Sequence, residues 1–252
     1  MRAVVPQRTG CSYHQHMRHA GNNDRKLRIT CQVDYAGESM TGLPSKLVFD
    51  LTAGCLCLNF ANTVDKRLSS QPEDKLAGYK EFVTFGQQNG VFSVGEVQKL
   101  RRGTNKSEAA RILQQALELR ELVYRIFMAV AARREVSNAD ADALNAALLE
   151  LNAGSRIAPV RGEIGWRRAE KSGAGRLIER ILRSAVDVLT TDDIARVKKC
   201  GAETCCWLFL DRSRSGNRRW CEMKTCGCRQ KAKTYYRRKT AGRQREKAAP
   251  SS

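Results

Sequence analysis

The chain has 252 residues, with 45 Lys and Arg against 26 Asp and Glu, and therefore a formal net charge of +19. Because 42% of the residues are apolar, the chain can bury a core, which excludes a wholly disordered protein; its longest apolar stretch, 122–132, is too short to cross a bilayer. The N-terminus has charges and histidines where a secretory signal needs an unbroken apolar run, so we expect a cytoplasmic protein with no membrane partner.

Residues 1–44 differ in character from the rest of the chain. They contain polar clusters such as 21–24 and no convincing periodicity, so we expect this extension to be disordered. Met40 lies just before the first ordered-looking segment, and we expect the true start of the protein downstream of Met1.

Residues 45–190 are predicted to form a helical domain. Apolar residues at alternating steps of four and three predict a long helix over 107–134. The pair Ser93 and Glu96 has the spacing of a capping box, and a further helix is expected after Ser137. An apolar face over 177–189 predicts another helix, and the segment 156–170 indicates a short hairpin or an irregular crossover.

Nothing in this helical region is typical of an enzyme. It contains no histidine, no Gly-rich phosphate loop before a helix, and no Ser or Cys in a recognisable nucleophile setting, so we predict no reaction. The C-x-C pair of Cys55 and Cys57 lies on a Leu-rich segment, and we interpret both residues as buried, inert thiols.

Cysteine and positive charge are concentrated near the C-terminus. Six of the ten cysteines fall within 200–228, and the segment 196–247 has 17 Lys and Arg against 4 Asp and Glu. A basic run alone is also typical of a solvated tail. Together with the cysteines, it predicts a compact module that is folded by a metal and faces a polyanion.

Two C-x4-C pairs, Cys200 with Cys205 and Cys221 with Cys226, predict one structural Zn²⁺ with four thiolate ligands. We expect a strand over 207–210 and a returning strand over 218–220 to bring the two pairs together as a β-hairpin.

Six thiols compete for the four ligand positions. We prefer the symmetric set, which leaves Cys206 and Cys228 spare, although Cys228 could exchange with Cys226 as a ligand. The usual spacings of iron–sulfur clusters are absent from the sequence. A redox-sensing or protein-interaction module, in which the spare cysteines respond to oxidant, stays an open alternative.

The residues around these cysteines resemble a known family. The runs C-x4-C-x-W-L-F-L-D, S-R-x-G-N-R-R-W-C and C-G-x-R, followed by a basic helix, are similar to the CGNR zinc finger. The segment 47–67 resembles the opening of the helical ABATE domain that accompanies this finger. One departure is that the C-G-N-R signature reads Cys-Gly-Cys-Arg at 226–229.

The resemblance covers about 45–240 and implies a bacterial, stress-induced transcription regulator. The predicted fold is therefore mainly α, with a helical domain over 45–190 and a four-cysteine zinc finger with a basic C-terminal helix over 196–245. Asn62, Thr63 and Arg67 lie in the family-like segment and could line a pocket, but helix capping and solvated charge are simpler explanations.

After Cys226 the cations have tyrosines between them and no acid before Glu246. We expect double-stranded DNA as the partner, with phosphates as the main contacts. RNA binding, with Tyr235, Tyr236 and Trp220 stacking on bases, is the alternative, and a homodimer and a small-molecule effector stay open. The residues predicted to contact nucleic acid are Arg218, Arg219, Arg229, Lys231, Lys233, Arg237 and Arg238.

Overall fold

Helices form most of the described chain, in agreement with the predicted, mainly α fold. The computed structural model describes residues 47–153, 156–160, 163–167 and 173–248, and the extension predicted to be disordered, 1–44, lies outside them. The helices are α1 (Leu56–Ala61), α2 (Tyr79–Gln88), α3 (Val94–Gly103), α4 (Lys106–Ala131), α5 (Asn138–Asn152), α6 (Gly175–Leu189) and α7 (Cys228–Ala248).

Short antiparallel strand pairs lie between the helices. The hairpin expected within 156–170 is present, and a second small pair follows α1. The strands are β1 (Val64–Asp65) with β2 (Glu73–Asp74), β3 (Arg156–Val160) with β4 (Glu163–Arg167), and β5 (Val197–Lys199) with β6 (Leu208–Leu210).

The helix starts follow the capping signals in the sequence. At α3 the Ser93 side chain accepts from the Glu96 amide and the Glu96 carboxylate accepts from the Ser93 amide, which confirms the capping box. Ser137 caps α5 as predicted. The long helix begins slightly earlier than predicted, because Asn105 caps it by accepting from the Glu108 amide at 2.9 Å.

One continuous core joins the helices to the β5–β6 hairpin. Its centre contains fully buried phenylalanines, and the Phe85 ring lies 5.2 Å from Phe49 and 5.4 Å from Phe60. Leu208 and Leu210 of β6 belong to the same core. The finger is therefore packed against the helical region and is not an independent domain on a flexible linker.

Two of the three residues considered as pocket-lining, Thr63 and Arg67, hold the helical region together. Thr63 donates to the Phe60 carbonyl at 2.8 Å. The Arg67 side chain, 12% exposed, pairs with Glu121 at 2.6 Å and stacks on the Tyr124 ring at 3.9 Å. Arg67 is thus not the solvated charge that its sequence context favoured.

Within the described residues, no helix combines the length and the apolar character needed to cross a membrane.

Candidate metal centre and nucleic-acid interface

The first cysteine pair lies in the loop of the β5–β6 hairpin. Cys200 follows β5 directly, and its amide donates to the Trp207 carbonyl at 2.8 Å. Within this loop the Cys205 amide donates to the Ala202 carbonyl at 3.0 Å, which makes a tight turn. The loop therefore holds both cysteines on the same side of the finger.

The predicted strand over 207–210 is present as β6 and forms a hairpin, but its partner strand was predicted wrongly. β6 pairs with the segment before the first cysteine, with Val197 opposite Leu210, and 218–220 is not a strand. Pairing with β5 is favoured because it buries Val197 and Leu210 in the common core. The returning segment is attached instead through its Arg219 carbonyl, which accepts from the Gly201 amide at 2.8 Å.

A turn of π-helix, Met223–Gly227, carries the last cysteine of the second pair and leads directly into α7. Gly227 lies in a crowded position. A Cβ at this position would collide with the Met223 sulfur and lie 3.1 Å from Cδ1 of Trp220. A larger residue at 227 would therefore require the Met223 side chain to move.

The four predicted ligands converge. The sulfurs of Cys200, Cys205, Cys221 and Cys226 all lie within 4.8 Å of one another. Cys221 is 3.8 Å from Cys205 and 3.6 Å from Cys226, measured between sulfurs. Zn–S bonds of about 2.3 Å in a tetrahedron place the sulfurs about 3.8 Å apart, so the site fits one zinc ion. Four thiolates leave no open coordination position, which is typical of a structural site.

Hydrogen bonds within the cluster favour a thiolate at Cys200. The Cys205 and Cys221 thiols donate to it and lower the pKa of Cys200, and the Cys221 amide also donates to its sulfur at 3.4 Å. The same contact with Cys200 raises the pKa of Cys205 and of Cys221. Because zinc binds thiolates, these shared protons must leave when the ion binds, so acid opposes zinc binding.

The two spare cysteines lie outside the four-sulfur cluster. Cys206 is buried, and its carbonyl accepts from the Tyr124 hydroxyl at 3.1 Å. Cys228 is the first residue of α7 and is half-buried. The symmetric ligand set is therefore the one that the structure brings together.

Asp211 fixes the loop between the two cysteine pairs. Its side chain is 1% exposed and accepts from Lys198 at 2.7 Å, from the Ser213 hydroxyl at 2.6 Å and from the Arg218 amide at 2.9 Å. Burial alone would raise its pKa, but these hydrogen bonds lower the pKa of Asp211 below its ordinary value. The buried carboxylate is thus fully partnered.

Arg218, one of the predicted nucleic-acid contacts, makes several contacts within the protein. Its guanidinium lies 4.5 Å from the centre of the Phe209 ring and donates to the carbonyls of Trp220 at 2.9 Å and of Cys221. It also reaches the Thr52 carbonyl at 3.3 Å, so it links the finger to the segment before α1. The Arg218 guanidinium is thus engaged within the protein, and its contact with nucleic acid stays a prediction.

The other predicted cations are exposed. Arg219 lies over the Trp220 ring at 5.0 Å and, with Lys231, Tyr235 and Arg238, lines an open groove of about 580 Å³ beside α7. Lys233 forms an ion pair with Glu203. The exposed cations on α7 that the sequence predicted as contacts are Arg229, Lys231, Lys233, Arg237 and Arg238.

Sequence reasoning missed the role of Asn62. Its side chain is buried and forms two hydrogen bonds with the backbone of Leu208 in β6, at 2.8 and 2.9 Å. The only sequence signal for this role was a polar residue directly after an apolar helix. The same signal is equally typical of a residue that caps the helix C-terminus.

Comparison with known families gives two matches. The family model described as "ABATE: Putative stress-induced transcription regulator" matches residues 54–192, more than half of the chain. The family model described as "CGNR zinc finger" matches residues 196–239, which include all four clustered cysteines. A search of curated proteins found no match. The chain belongs to the ABATE family and carries a C-terminal CGNR zinc finger.

Proposed function

We propose that this protein is a transcription regulator that binds double-stranded DNA through the zinc finger, α7 and the adjacent groove. The observation that carries the proposal is the row of cations on α7. From Arg229 to Lys239 the helix has six Lys and Arg and no acid, and all six side chains are exposed. Such a surface matches the phosphate backbone of a duplex.

The zinc site would stabilise α7, which is destabilised by itself because its cations repel one another. Like charges three and four residues apart destabilise an isolated helix. Here α7 continues directly from the π-turn that carries Cys226, so zinc at the four sulfurs would fix its first turn. The free energy of zinc binding, about 10–16 kcal/mol in small fingers, far exceeds the repulsion.

The groove beside α7 extends the cationic surface. Arg219 comes from the segment between the cysteine pairs, whereas Lys231 and Arg238 come from α7, and the three line the same groove. Cations from two chain segments can contact neighbouring phosphates along one strand, which a single basic helix does less well. Cations held in fixed positions by the folded finger favour a defined nucleic-acid interface over a flexible basic tail.

RNA is the second candidate ligand, and exposed aromatic rings favour it. Tyr235 and Tyr236 are 61% and 66% exposed. Single-stranded RNA is recognised largely by stacking on such rings. A competition between labelled duplex DNA and single-stranded RNA of the same length distinguishes the two proposals. Duplex DNA is expected to compete at the lower concentration.

The salt dependence of duplex binding tests the proposed function. If phosphates are neutralised, the logarithm of the association constant falls linearly with the logarithm of salt concentration, with a slope of about −0.9 per phosphate contact. For a surface of five or six cations we expect a slope of about −4.5 to −5.4. An affinity that hardly changes with salt would exclude this mode of binding. We propose no catalytic reaction for the protein.

A further inference from the structure

The pair of thiols at the start of the helical region is not accounted for by the proposed function. Cys55 directly precedes α1, and Cys57 is the second residue of that helix. Their sulfurs are 3.5 Å apart, with Cys57 fully buried and Cys55 half-buried. The sequence suggested that this C-x-C pair is buried and inert, and the structure places the two sulfurs in contact.

The surroundings give the two thiols different chemical characters. The hydrogen bond with Cys57 lowers the pKa of Cys55, and burial opposes this effect. The Arg212 guanidinium lowers the pKa of Cys55 further, and the Asp193 carboxylate opposes it. Burial raises the pKa of Cys57 well above its ordinary value. Cys55 therefore has the character of a nucleophile, and Cys57 that of a protonated partner behind it.

We propose that Cys55 and Cys57 form a peroxide-sensitive dithiol that is oxidised to a disulfide within the helical region. The Cys55 thiolate attacks one oxygen of a hydroperoxide and the O–O bond breaks, which gives a sulfenic acid. The departing oxygen takes a proton from solvent and leaves as an alcohol, or as water when the oxidant is hydrogen peroxide. The Cys57 sulfur then attacks the Cys55 sulfur, and the hydroxyl group leaves with the Cys57 proton as water. Two electrons pass from the two sulfurs to the peroxide.

The position of the pair connects it to the finger. Just before Cys55, the Ala53 carbonyl accepts from the Leu210 amide at 2.8 Å. At Gly54 a Cβ would lie 3.2 Å from Cβ of Leu210, so the two segments are in close contact. Disulfide formation shortens the sulfur separation from 3.5 Å to about 2.05 Å. The segment that carries the pair is the one that touches β6, so we expect oxidation to act on the finger without touching a zinc ligand.

Mass spectrometry of the zinc-loaded, full-length protein tests the proposal. The protein is treated with limiting hydrogen peroxide, then denatured and alkylated with N-ethylmaleimide, and digested with trypsin. Cleavage after Lys46 and Lys66 releases the peptide 47–66, which contains Cys55 and Cys57 and no other cysteine. We expect this peptide to lose both alkylation sites and two hydrogens at peroxide doses that leave the zinc content unchanged.

Two variants test the order of events. In Cys57→Ala, Cys55 is expected to stop at the sulfenic acid and to be labelled by dimedone, whereas in Cys55→Ala, Cys57 is expected to stay unlabelled. Cys228→Ala is the matched control and should form the disulfide as the wild type does. If peptide 47–66 of the wild type keeps both alkylated cysteines until zinc is released, the proposal is wrong, whatever the stability of the variants.

Hydrogen exchange tests the connection to the finger. In the oxidised protein, the Leu210 amide is expected to exchange at least several-fold faster than in the reduced protein, because its acceptor at Ala53 has moved. The Cys55→Ala variant, treated with peroxide in the same way, should show no change. An unchanged rate at Leu210 in a fully formed disulfide would overturn this connection. Neither measurement uses nucleic acid, so a failure here is distinct from a failure of the proposed function.

Discussion

The side-chain amide of Asn62 pairs with the backbone of Leu208 through two hydrogen bonds. Its nitrogen donates to the Leu208 carbonyl at 2.8 Å, and its oxygen accepts from the Leu208 amide at 2.9 Å. The Asn62 side chain thus forms the two hydrogen bonds with β6 that a neighbouring strand would form. Asn62 itself directly follows α1. It makes the finger and the helical region one folded unit.

Replacement of Asn62 by Ala should therefore destabilise the protein strongly. It leaves the Leu208 amide and carbonyl buried without their partner, at a cost of about 1–3 kcal/mol for each group. We expect the free energy of unfolding of the zinc-loaded protein in urea to fall by about 2–6 kcal/mol. Asn152→Ala, at an exposed position on α5, is the control and should stay within about 0.5 kcal/mol of wild type. Equal effects of the two substitutions would contradict the role of Asn62.

Two adjacent arginines are expected to behave in opposite ways. Arg218→Ala removes hydrogen bonds to the Trp220, Cys221 and Thr52 carbonyls and should lower stability by about 2–3 kcal/mol. Arg219→Ala changes an exposed side chain, so stability should change by less than about 0.5 kcal/mol. In duplex binding, Arg219→Ala should reduce the salt slope by about one unit. Measuring the free energy of unfolding and the salt slope for both variants decides whether Arg218 is structural and Arg219 contacts DNA.

Charge reversal on α7 tests the proposed interface. The double variant Arg237→Glu and Arg238→Glu should weaken binding to every duplex sequence alike, because phosphate contacts carry no sequence information. Lys99→Glu with Arg102→Glu, at exposed positions of α3, changes the net charge equally and controls for long-range electrostatics. If the control weakens binding as much, α7 is not the interface. A loss confined to one DNA sequence would contradict the phosphate role.

Glu96 is expected to make the stability of the helical region depend on pH in the acid range. Hydrogen bonds from the Ser93 amide and Arg176 lower the pKa of Glu96 from 4.5 to about 2. Because the folded-state pKa is the lower one, this group stabilises the fold above pH 4.5 and loses its contribution as the pH falls toward 2. Glu96→Gln should therefore unfold at a lower urea concentration than wild type at neutral pH. The difference in urea midpoint between the two proteins should narrow only below pH 4.5. A difference that vanishes near pH 6 would contradict this assignment.

The helices could be predicted because their signals are local. A capping box such as Ser93 with Glu96 and an apolar stripe such as that of α4 depend on residues within a few positions of one another. The four zinc ligands could be predicted for the same reason, since each C-x4-C pair is confined to one short loop.

The contacts that join the two regions could not be predicted, because they connect distant parts of the chain. Asn62 bonds to a residue 146 positions away, and Arg218 reaches Thr52 across 166 positions. In the sequence Arg218 and Arg219 are equivalent cations. The position of the Phe209 ring beside Arg218 is what distinguishes them, and it depends on the β5–β6 register.

Metal analysis of the purified protein tests most directly the claim that four cysteine sulfurs hold one zinc and so organise the finger. We expect one zinc per chain in the wild type and in Cys228→Ala, whose sulfur lies outside the cluster, and loss of the ion in Cys221→Ser. Zinc retained by Cys221→Ser, or lost from Cys228→Ala, would contradict the ligand set and with it the proposed role of the finger.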